Sequence, residues 1–299
     1  MATIAGERTG DLPVWMRITG CETRQDLKTL LLLVPAGVFL AVFFIYPLTR
    51  LFIMGLFDPD FTLQHYLKMF THPLYLRVLW ITLKVAATVT IVCLVLGYPL
   101  AALLSMVREK VSSRLFFMIL IPYWTSILIR AYCWTVILQR KGLVNTFLAN
   151  IGVIDKPLHL MFNTTGVIIG TVHVFLPLMI MPLYSVMSKV NVNLLRASAG
   201  MGAGPVKTFL RVYFPLTLPG VAGGSLLVFI LSLGLYITPA LMGGRRDILM
   251  SIMIEQQVRE FLNWGFASAL SFTLLFVTLL LYFAAVKWLG LNLLWGGKR

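Results

Sequence analysis

Six long apolar windows constrain the fold of this chain more than any other feature of its sequence. A helix needs about 20 predominantly apolar residues to cross the hydrocarbon core of a bilayer. No window alternates with a period of two, so a transmembrane β-barrel is disfavoured. We therefore predict an all-α integral membrane protein with six transmembrane helices. The windows run from Leu30 to Gly55, Val78 to Met106, Leu115 to Leu138, Gly166 to Ser188, Leu218 to Met242 and Gly265 to Leu289.

The composition argues against a soluble domain and against a nucleic-acid-binding protein. Only 12% of the 299 residues are charged, whereas about a quarter of the residues in a soluble domain are charged. The net charge of +14 is carried by short basic clusters between the apolar windows, and not by a basic stripe of the kind that binds nucleic acid. Loops enriched in Lys and Arg on the cytoplasmic side explain this charge better. We predict contact with the lipid bilayer and no nucleic-acid partner.

The basic loops also predict the orientation of the chain. The short loop after the second window holds Arg108, Lys110 and Arg114, and short basic loops stay in the cytoplasm. An even number of spans places both termini on that same side. The predicted parts are a cytoplasmic tail at 1–28, a first transmembrane helix with a periplasmic segment at 29–77, a five-helix core at 78–289 with a cytoplasmic loop at 189–217, and a cytoplasmic tail at 290–299.

Neither catalysis nor metal binding is predicted from the reactive side chains. Cys21, Cys93 and Cys133 have no spacing typical of a metal site or a disulfide framework, and the four histidines form no ligand set. The chain has no G-x-x-x-x-G-K-[ST] phosphate loop, so it cannot hydrolyse ATP by that route. His173 lies inside a window and is interpreted as a core histidine with satisfied polar atoms. We predict no catalytic residue, metal ligand or cofactor in this chain.

The loop between the fourth and fifth windows is patterned like two short helices. Asn193 can cap a helix that runs through Met201, and Gly202 then lets the chain turn without a Cβ clash. Pro205 suits the first position of the second helix. The apolar residues Val206, Phe209, Leu210 and Tyr213 follow at helical spacing, which predicts a helix along the membrane surface. We expect Pro215 and Pro219 to end that helix.

The face formed by Ala197, Ser198 and Gly202 is small, which suits close approach by another protein better than binding to lipid. An interfacial helix without a partner is the alternative interpretation of this loop. A membrane protein without a phosphate loop needs an energy source, and a docking surface for an ATPase would supply one. We therefore interpret this loop as a docking surface.

At these residues the chain resembles the permease subunits of bacterial ABC importers, whose loop follows the pattern Glu-Ala-Ala, three residues, Gly, nine residues, Ile-x-Leu-Pro. The matching positions are Ala197, Ser198, Gly202, Val212, Phe214 and Pro215, and Arg196 stands where the family usually has Glu. The resemblance implies a type I importer permease fold in a bacterial inner membrane, with the loop as a coupling helix. The implied coupling residues are Arg196, Ala197, Ser198, Met201, Gly202, Ala203, Pro205 and Pro215.

The same resemblance implies the partners. These are a second, distinct permease subunit, two copies of a cytosolic ABC ATPase that binds ATP and Mg²⁺, and a periplasmic solute-binding protein. Further segments, among them Pro122-Tyr123-Trp124-Thr125-Ser126 and Thr238-Pro239-Ala240-Leu241-Met242-Gly243-Gly244, are similar to the spermidine/putrescine branch. They imply a polyamine such as putrescine or spermidine as the small-molecule substrate.

A pathway for a polyamine should offer acidic groups and aromatic faces to the ammonium groups. The candidate residues are Trp124, Tyr132, Tyr236, Glu255 and Trp264. These aromatic residues also suit interface belts or core packing, and Glu255 can simply face water. Lys84 and Arg130 would repel a polycation in the path, so we expect them to snorkel or to pair with carbonyl groups. The alternatives are another small organic solute in the same family and a stand-alone secondary carrier.

Overall fold

The computed structural model describes residues 33–57, 60–245 and 247–288. Cys21 and both predicted cytoplasmic tails, at 1–28 and 290–299, lie outside the described residues. The domain boundaries stay predictions. We number the helices of the described residues in chain order: α1 Leu33–Leu56, α2 Gln64–Thr71, α3 Pro73–Met106, α4 Glu109–Trp124, α5 Ile127–Leu138, α6 Leu143–Asn150, α7 Thr164–Met187, α8 Val192–Gly200, α9 Pro205–Leu233, α10 Ile237–Met242, α11 Met250–Arg259 and α12 Trp264–Trp288.

The prediction of an all-α chain with several membrane-spanning helices is confirmed. Within the described ranges, five helices are long and apolar enough to cross a membrane, and they are α1, α3, α7, α9 and α12. A sixth span is possible if α4 and the helical segment after it count as one. The chain divides into two compact units, 1–54 and 55–299. The candidate functional site lies within the unit from residue 55 onward.

The third window is broken, although its sequence suggests one continuous helix. The axis bends by 92° between Glu109–Trp124 and Ile127–Asn150. Pro122 lies in the last turn of α4, and the Thr125 hydroxyl donates to its carbonyl over 2.7 Å. A proline cannot donate a helical hydrogen bond and its ring clashes with the preceding turn. The helix nevertheless continues through Pro122 to Trp124, and the chain turns where Thr125 and Ser126 adopt non-helical backbone angles, which the apolar pattern does not reveal.

The fifth span corrects the expectation that prolines end a separate surface helix. The chain is helical from Pro205 to Leu233, so the predicted second loop helix is the first part of α9. Pro215 lies near the start of the regular α-helical part, and Pro219 lies inside it. The helix then stops at Leu233, nine residues before the predicted end at Met242, and α10 follows after a short break.

Two π-helical turns show how the described helices tolerate prolines. The turns are Ala41–Ile45 in α1 and Phe209–Tyr213 in α9, and each ends two residues before a proline, at Pro47 and Pro215 respectively. The proline ring clashes with the carbonyl four residues earlier in a regular α-helix. The wider π turn moves that carbonyl aside, so the helix continues where the sequence alone suggests an end.

The core lies where α3 and α9 pack against α7. This central helix is the most buried of the candidate spans, with 61% of its apolar window inside the molecule. Gly220 and Gly224 of α9 lie four residues apart and face α7. A Cβ at Gly220 would lie 3.1 Å from the Pro182 carbonyl oxygen, and one at Gly224 would lie 2.9 Å from the Met179 sulfur. Small residues at this spacing let two helix backbones approach closely in a membrane.

Candidate functional site

A short helix and a tight turn lie between the α7 and α9 spans. Helix α8 is capped by Asn191, whose side chain accepts a hydrogen bond from the Asn193 backbone N–H over 2.9 Å. The predicted cap, Asn193, is therefore wrong by two residues. The helix ends at Gly200, and backbone bonds from Met201 to Ala197 and from Ala203 to Ser198 close the turn.

Gly202 has the backbone angle that makes this turn possible. Its φ is +82°, in the region that glycine enters at little cost and other residues rarely adopt. A Cβ built at Gly202 would meet no atom within 4 Å. The position therefore requires glycine because of its backbone conformation, and not because space is short. Pro205 then starts α9, with Gly204 as its N-cap.

The predicted coupling residues divide into an outer and an inner set. Arg196, Ala197 and Met201 are exposed, and the Met201 side chain is 83% accessible. Ser198 is buried instead, and its hydroxyl lies 3.1 Å from that of Thr208. The small-residue face therefore loses Ser198 as a surface contact, because this side chain joins α8 to the start of α9. The remaining predicted residues are Gly202 and Pro205, which are exposed, Ala203, which is half-buried, and Pro215, which is exposed on α9.

An apolar cavity of about 390 Å³ lies behind the turn. It is bounded by α8, by the first turns of α9 and by the last turns of α3, which contribute Ala102 and Met106. The turn is therefore supported from the end of a membrane-spanning helix but leaves room beneath it. Helix α8 contacts the start of α9 directly, through the hydroxyl groups of Ser198 and Thr208.

Hydroxyl groups fasten the base of the turn to α3, and sequence reasoning missed them. The Tyr98 hydroxyl lies 2.9 Å from that of Thr217, and the Ser105 hydroxyl lies 3.4 Å from that of Tyr213. The Tyr98 ring also contacts Phe209 edge-on, with ring centroids 6.1 Å apart. Within the sequence, the only available signal was the presence of hydroxyl-bearing residues in otherwise apolar windows.

A second group of polar residues lies toward the other end of α3. The backbone N–H of Met250, at the start of α11, donates to the Thr82 hydroxyl over 2.8 Å. Thr82 and Met106 are 24 positions apart on α3, and a helix rises about 1.5 Å per residue, so they are separated by about 36 Å. That distance exceeds the thickness of the hydrocarbon core. The turn after α8 and helix α11 therefore lie at opposite ends of a span.

Two predicted pathway residues meet beside this second group. Tyr236 lies in the break between α9 and α10, and Glu255 lies on α11. Partial burial raises the pKa of the Tyr236 phenol, and its interaction with the Glu255 carboxylate raises it further. Arg259 pairs with Glu255 over 3.2 Å, although its own side chain is 75% exposed. The Ser251 hydroxyl donates to the Leu235 carbonyl over 2.8 Å, which joins α11 to the break.

The other three predicted pathway residues lie on separate helices. Trp124 ends α4 and is 84% exposed, Tyr132 lies on α5, and Trp264 starts α12. All three rings are exposed to a large extent, as expected either for a pathway or for a surface covered by lipid or protein. Their role in binding substrate stays a prediction.

Comparisons with known proteins agree with this architecture. Residues 94–290 match the family described as "Binding-protein-dependent transport system inner membrane component". The chain is 42% identical over 233 residues to the spermidine/putrescine transport system permease protein PotB of Salmonella typhimurium (strain SL1344), covering 77% of this chain and 81% of that protein. PotB of Escherichia coli (strain K12) is also 42% identical, over 77% of this chain and 84% of the relative.

A solved structure shows the same fold at low sequence identity. It is described as the crystal structure of a bacterial alginate ABC transporter in complex with an alginate pentasaccharide-bound periplasmic protein. The TM-score is 0.72 at 17% identity, and the match covers 92% of this chain and 96% of that chain. The expectation of an ABC importer permease fold is therefore confirmed.

Proposed function

Because the chain belongs to the family of binding-protein-dependent transport system inner membrane components, we propose that it is the permease subunit of an ATP-driven importer of polyamines. The observation that carries this proposal is the 42% identity to PotB over 77% of the chain. Two PotB relatives are spermidine/putrescine permeases by name. The chemistry of spermidine and putrescine also suits the carboxylate and phenol that meet beside α11.

The exposed turn after α8 is the surface on which a cytosolic ATPase docks. ATP and Mg²⁺ bind to that partner, present in two copies, because this chain has no phosphate loop. Arg196 presents a positive charge in the docking surface, so the ATPase offers an acidic residue at that point. A second permease subunit completes the membrane pathway. Both termini lie in the cytoplasm together with the turn.

A periplasmic solute-binding protein delivers the substrate at the opposite end, where Glu255 and Tyr236 meet. The Glu255 carboxylate attracts an ammonium group, and the Tyr236 ring offers a cation–π surface next to it. In the free protein Arg259 already occupies one side of this carboxylate. An incoming ammonium group therefore competes with an exposed guanidinium, which keeps binding weak enough for release.

The function is tested with the complete complex in proteoliposomes, using labelled spermidine and the binding protein. We expect uptake only when ATP is present on the ATPase side and the binding protein is on the other side. Uptake by this chain alone, driven by an ion gradient without ATP, would establish the stand-alone carrier instead. Failure of spermidine and putrescine to compete for uptake would overturn the polyamine assignment.

The pathway residues are tested in the same assay by Glu255→Gln. Removing the charge should raise the KM for spermidine about tenfold, which corresponds to about 1.4 kcal/mol, and change the maximal rate less. Glu260→Gln is the matched control, because Glu260 is an exposed carboxylate just after α11. Equal effects of the two variants would show that Glu255 acts only through general surface charge.

A further inference from the structure

Two arginines line one cavity at the end of α3 that lies opposite the turn after α8. Arg77 is in the second turn of α3, and Arg245 is in the loop between α10 and α11. The cavity has a volume of about 390 Å³, within the range of small-ligand pockets, which is about 300–1,000 Å³. Two cationic side chains therefore border a space that is otherwise apolar. The apolar lining residues are Leu74, Val78, Ile81 and Ile248.

The charges of these arginines are not compensated by the part of the chain that the structure describes. The ion pair on α11 involves neither of them, and neither Arg77 nor Arg245 forms an ion pair with another described residue. Asp247 is only two positions from Arg245, but its carboxylate accepts a hydrogen bond from the Thr164 hydroxyl instead. An anion from outside this part of the chain can therefore occupy the cavity without displacing an internal partner.

Both guanidinium groups can be reached by a ligand, unlike two other basic groups of the membrane region. Arg77 and Arg245 are exposed. Arg130 on α5 and His173 on α7 also have nitrogen atoms without a hydrogen-bond partner, but those atoms are buried. The expectations that Arg130 pairs with carbonyl groups and that His173 is satisfied are therefore wrong for these atoms, which offer no surface to a ligand.

The position along α3 places the cavity at the level of the lipid headgroups. Residues 85–106 carry no charge, and they cover about 33 Å, close to the thickness of the hydrocarbon core. Lys84 is exposed at the edge of this stretch, and Ile81 of the cavity lies about 5 Å beyond it. A headgroup region extends about 5–8 Å from the core. Trp80 is 67% exposed, and exposed tryptophans are typical of this level.

The loop that carries Arg245 is fastened to two helices, so the cavity is formed before a ligand binds. The Asp247 carboxylate is bound by Thr164 at the start of α7. The Met250 N–H donates to the buried Thr82 hydroxyl of α3 over 2.8 Å. These bonds hold Arg245 beside the first turns of α3, although its charge has the same sign as that of Arg77. Two like charges at one preformed cavity favour an anion between them.

The lining residues define the chemistry of this anion. A guanidinium matches a phosphate group with two parallel hydrogen bonds. The apolar walls suit the glycerol and the first methylene groups that follow the phosphate of a lipid, and basic pockets between membrane-spanning helices bind lipid headgroups. A polyamine is excluded because its charge has the same sign as that of the arginines. The ligand is therefore an amphiphilic anion that carries a phosphate.

We propose that Arg77 and Arg245 bind the phosphate of an anionic phospholipid, such as phosphatidylglycerol, in the leaflet at this end of the molecule. This leaflet is the periplasmic one under the proposed function, but the binding does not depend on which solute is transported. The bound headgroup neutralises both guanidinium groups and holds the loop before α11 against α3. Because α11 carries Glu255, the lipid also lowers the positive potential around the carboxylate that attracts the polyamine.

The first test measures the melting temperature of the purified complex in detergent as phosphatidylglycerol is added. Arg77→Gln and Arg245→Gln should each raise the lipid concentration that gives half the stabilisation about fivefold, as expected for loss of one cation near anionic lipid. Lys156→Gln is the matched control, because Lys156 is an exposed cation in the loop before α7, and it should change this concentration less than twofold. Equal responses of the wild type and of the double arginine variant would overturn the proposal, and so would equal stabilisation of the wild type by phosphatidylcholine.

The second test does not depend on melting. Lipids that co-purify with the complex are quantified by mass spectrometry, and the double arginine variant should retain less than half of the phosphatidylglycerol that the wild type retains. Arg77→Lys keeps the charge but not the planar fork of donors, so it should retain an intermediate amount. If the double variant melts early in phosphatidylcholine alone, Arg77→Lys and the lipid content decide. Unchanged lipid content in both variants would contradict the proposal.

Other anions are distinguished by two further arms. If inorganic phosphate stabilises the wild-type complex as well as phosphatidylglycerol does, the cavity binds a free anion and the lipid proposal is overturned. If the arginine variants weaken binding of the periplasmic protein while the lipid response stays unchanged, the cavity binds an acidic side chain of that protein instead. None of these measurements requires uptake, so a complex that takes up no polyamine would overturn the proposed function and not this site.

Discussion

Glycines have opposite roles in the helical bundle and in the turn after α8. Gly220 packs against α7, where a Cβ would lie 3.1 Å from a backbone oxygen and 3.2 Å from the Leu183 Cα. Gly202 has no atom within 4 Å of its Cβ position but has a φ of +82°. The bundle therefore uses glycine for lack of space, and the turn uses it for its backbone angle. Changes at the two places should affect different properties, stability in the bundle and coupling in the turn.

The largest effect is expected for Gly220→Leu. Backbone atoms of α7 cannot move aside as a flexible side chain can, so the leucine forces α9 away from α7. Overpacking of a core costs about 1–3 kcal/mol, and the cost should lie at the upper end here because several contacts are affected. We expect a strong loss of folded protein, measured by size-exclusion chromatography and thermal stability in detergent.

Gly223→Leu provides the control for that variant. Gly223 lies on the same helix but has no atom within 4 Å of its Cβ position. Replacing a glycine in a helix by leucine even favours the helix intrinsically, by up to about 1 kcal/mol. If Gly223→Leu unfolds the protein as strongly as Gly220→Leu, the contact with α7 is not the cause.

The second largest effect is expected for Gly202→Val, and it should appear in coupling. A β-branched residue is strained at a positive φ, at about 1–2 kcal/mol, and the turn relaxes by changing shape. The bundle is untouched, so the protein should reach the membrane with nearly unchanged thermal stability. We expect spermidine uptake per ATP hydrolysed to fall at least tenfold in the reconstituted complex.

Gly200→Ala separates the backbone effect from the effect of added bulk. Gly200 ends α8, its φ is not in the positive region, and its Cβ position is open. Alanine there should leave uptake within twofold of the wild type. Normal coupling in Gly202→Val would contradict the assignment of this turn as the docking surface, and loss of folding would remove the distinction between the two regions.

The same contrast explains how far the sequence predicted the structure. The presence of several membrane-spanning helices was predictable because the bilayer sets a minimum length for each, although the third window is broken and the fifth span runs from Pro205 to Leu233. The turn was predictable because glycine and proline have strong local preferences, although the cap was placed at Asn193 instead of Asn191. The continuation of α9 through Pro215 and Pro219 was not predictable, since it depends on the π turn that precedes Pro215.

Contacts between distant residues were beyond the reach of local patterns. Tyr236 and Glu255 were proposed separately, as an aromatic and an acidic residue, and the break after Leu233 brings them together. Ser198 was expected on a docking face of small residues, but it is buried and its hydroxyl lies 3.1 Å from that of Thr208. Arg130 was expected to find a carbonyl partner, and only the packing of α5 against α7 shows that two of its nitrogen atoms have none.

The smallest effect is expected for Tyr98→Phe, which lies where the two regions meet. The change removes the 2.9 Å contact with the Thr217 hydroxyl but keeps the aromatic ring beside Phe209. Hydrogen bonds between membrane helices contribute about 0.6 kcal/mol on average, and Thr217 retains its bond to the Phe214 carbonyl over 2.9 Å. We therefore expect a small drop in thermal stability and at most a twofold change in coupling. Tyr282→Phe, on α12, is the control for loss of a tyrosine hydroxyl. If Tyr98→Phe instead uncouples transport as strongly as Gly202→Val, while stability stays unchanged, the hydroxyl pair belongs to the coupling machinery. The boundary between the two regions would then lie within α3 and not at the start of α9.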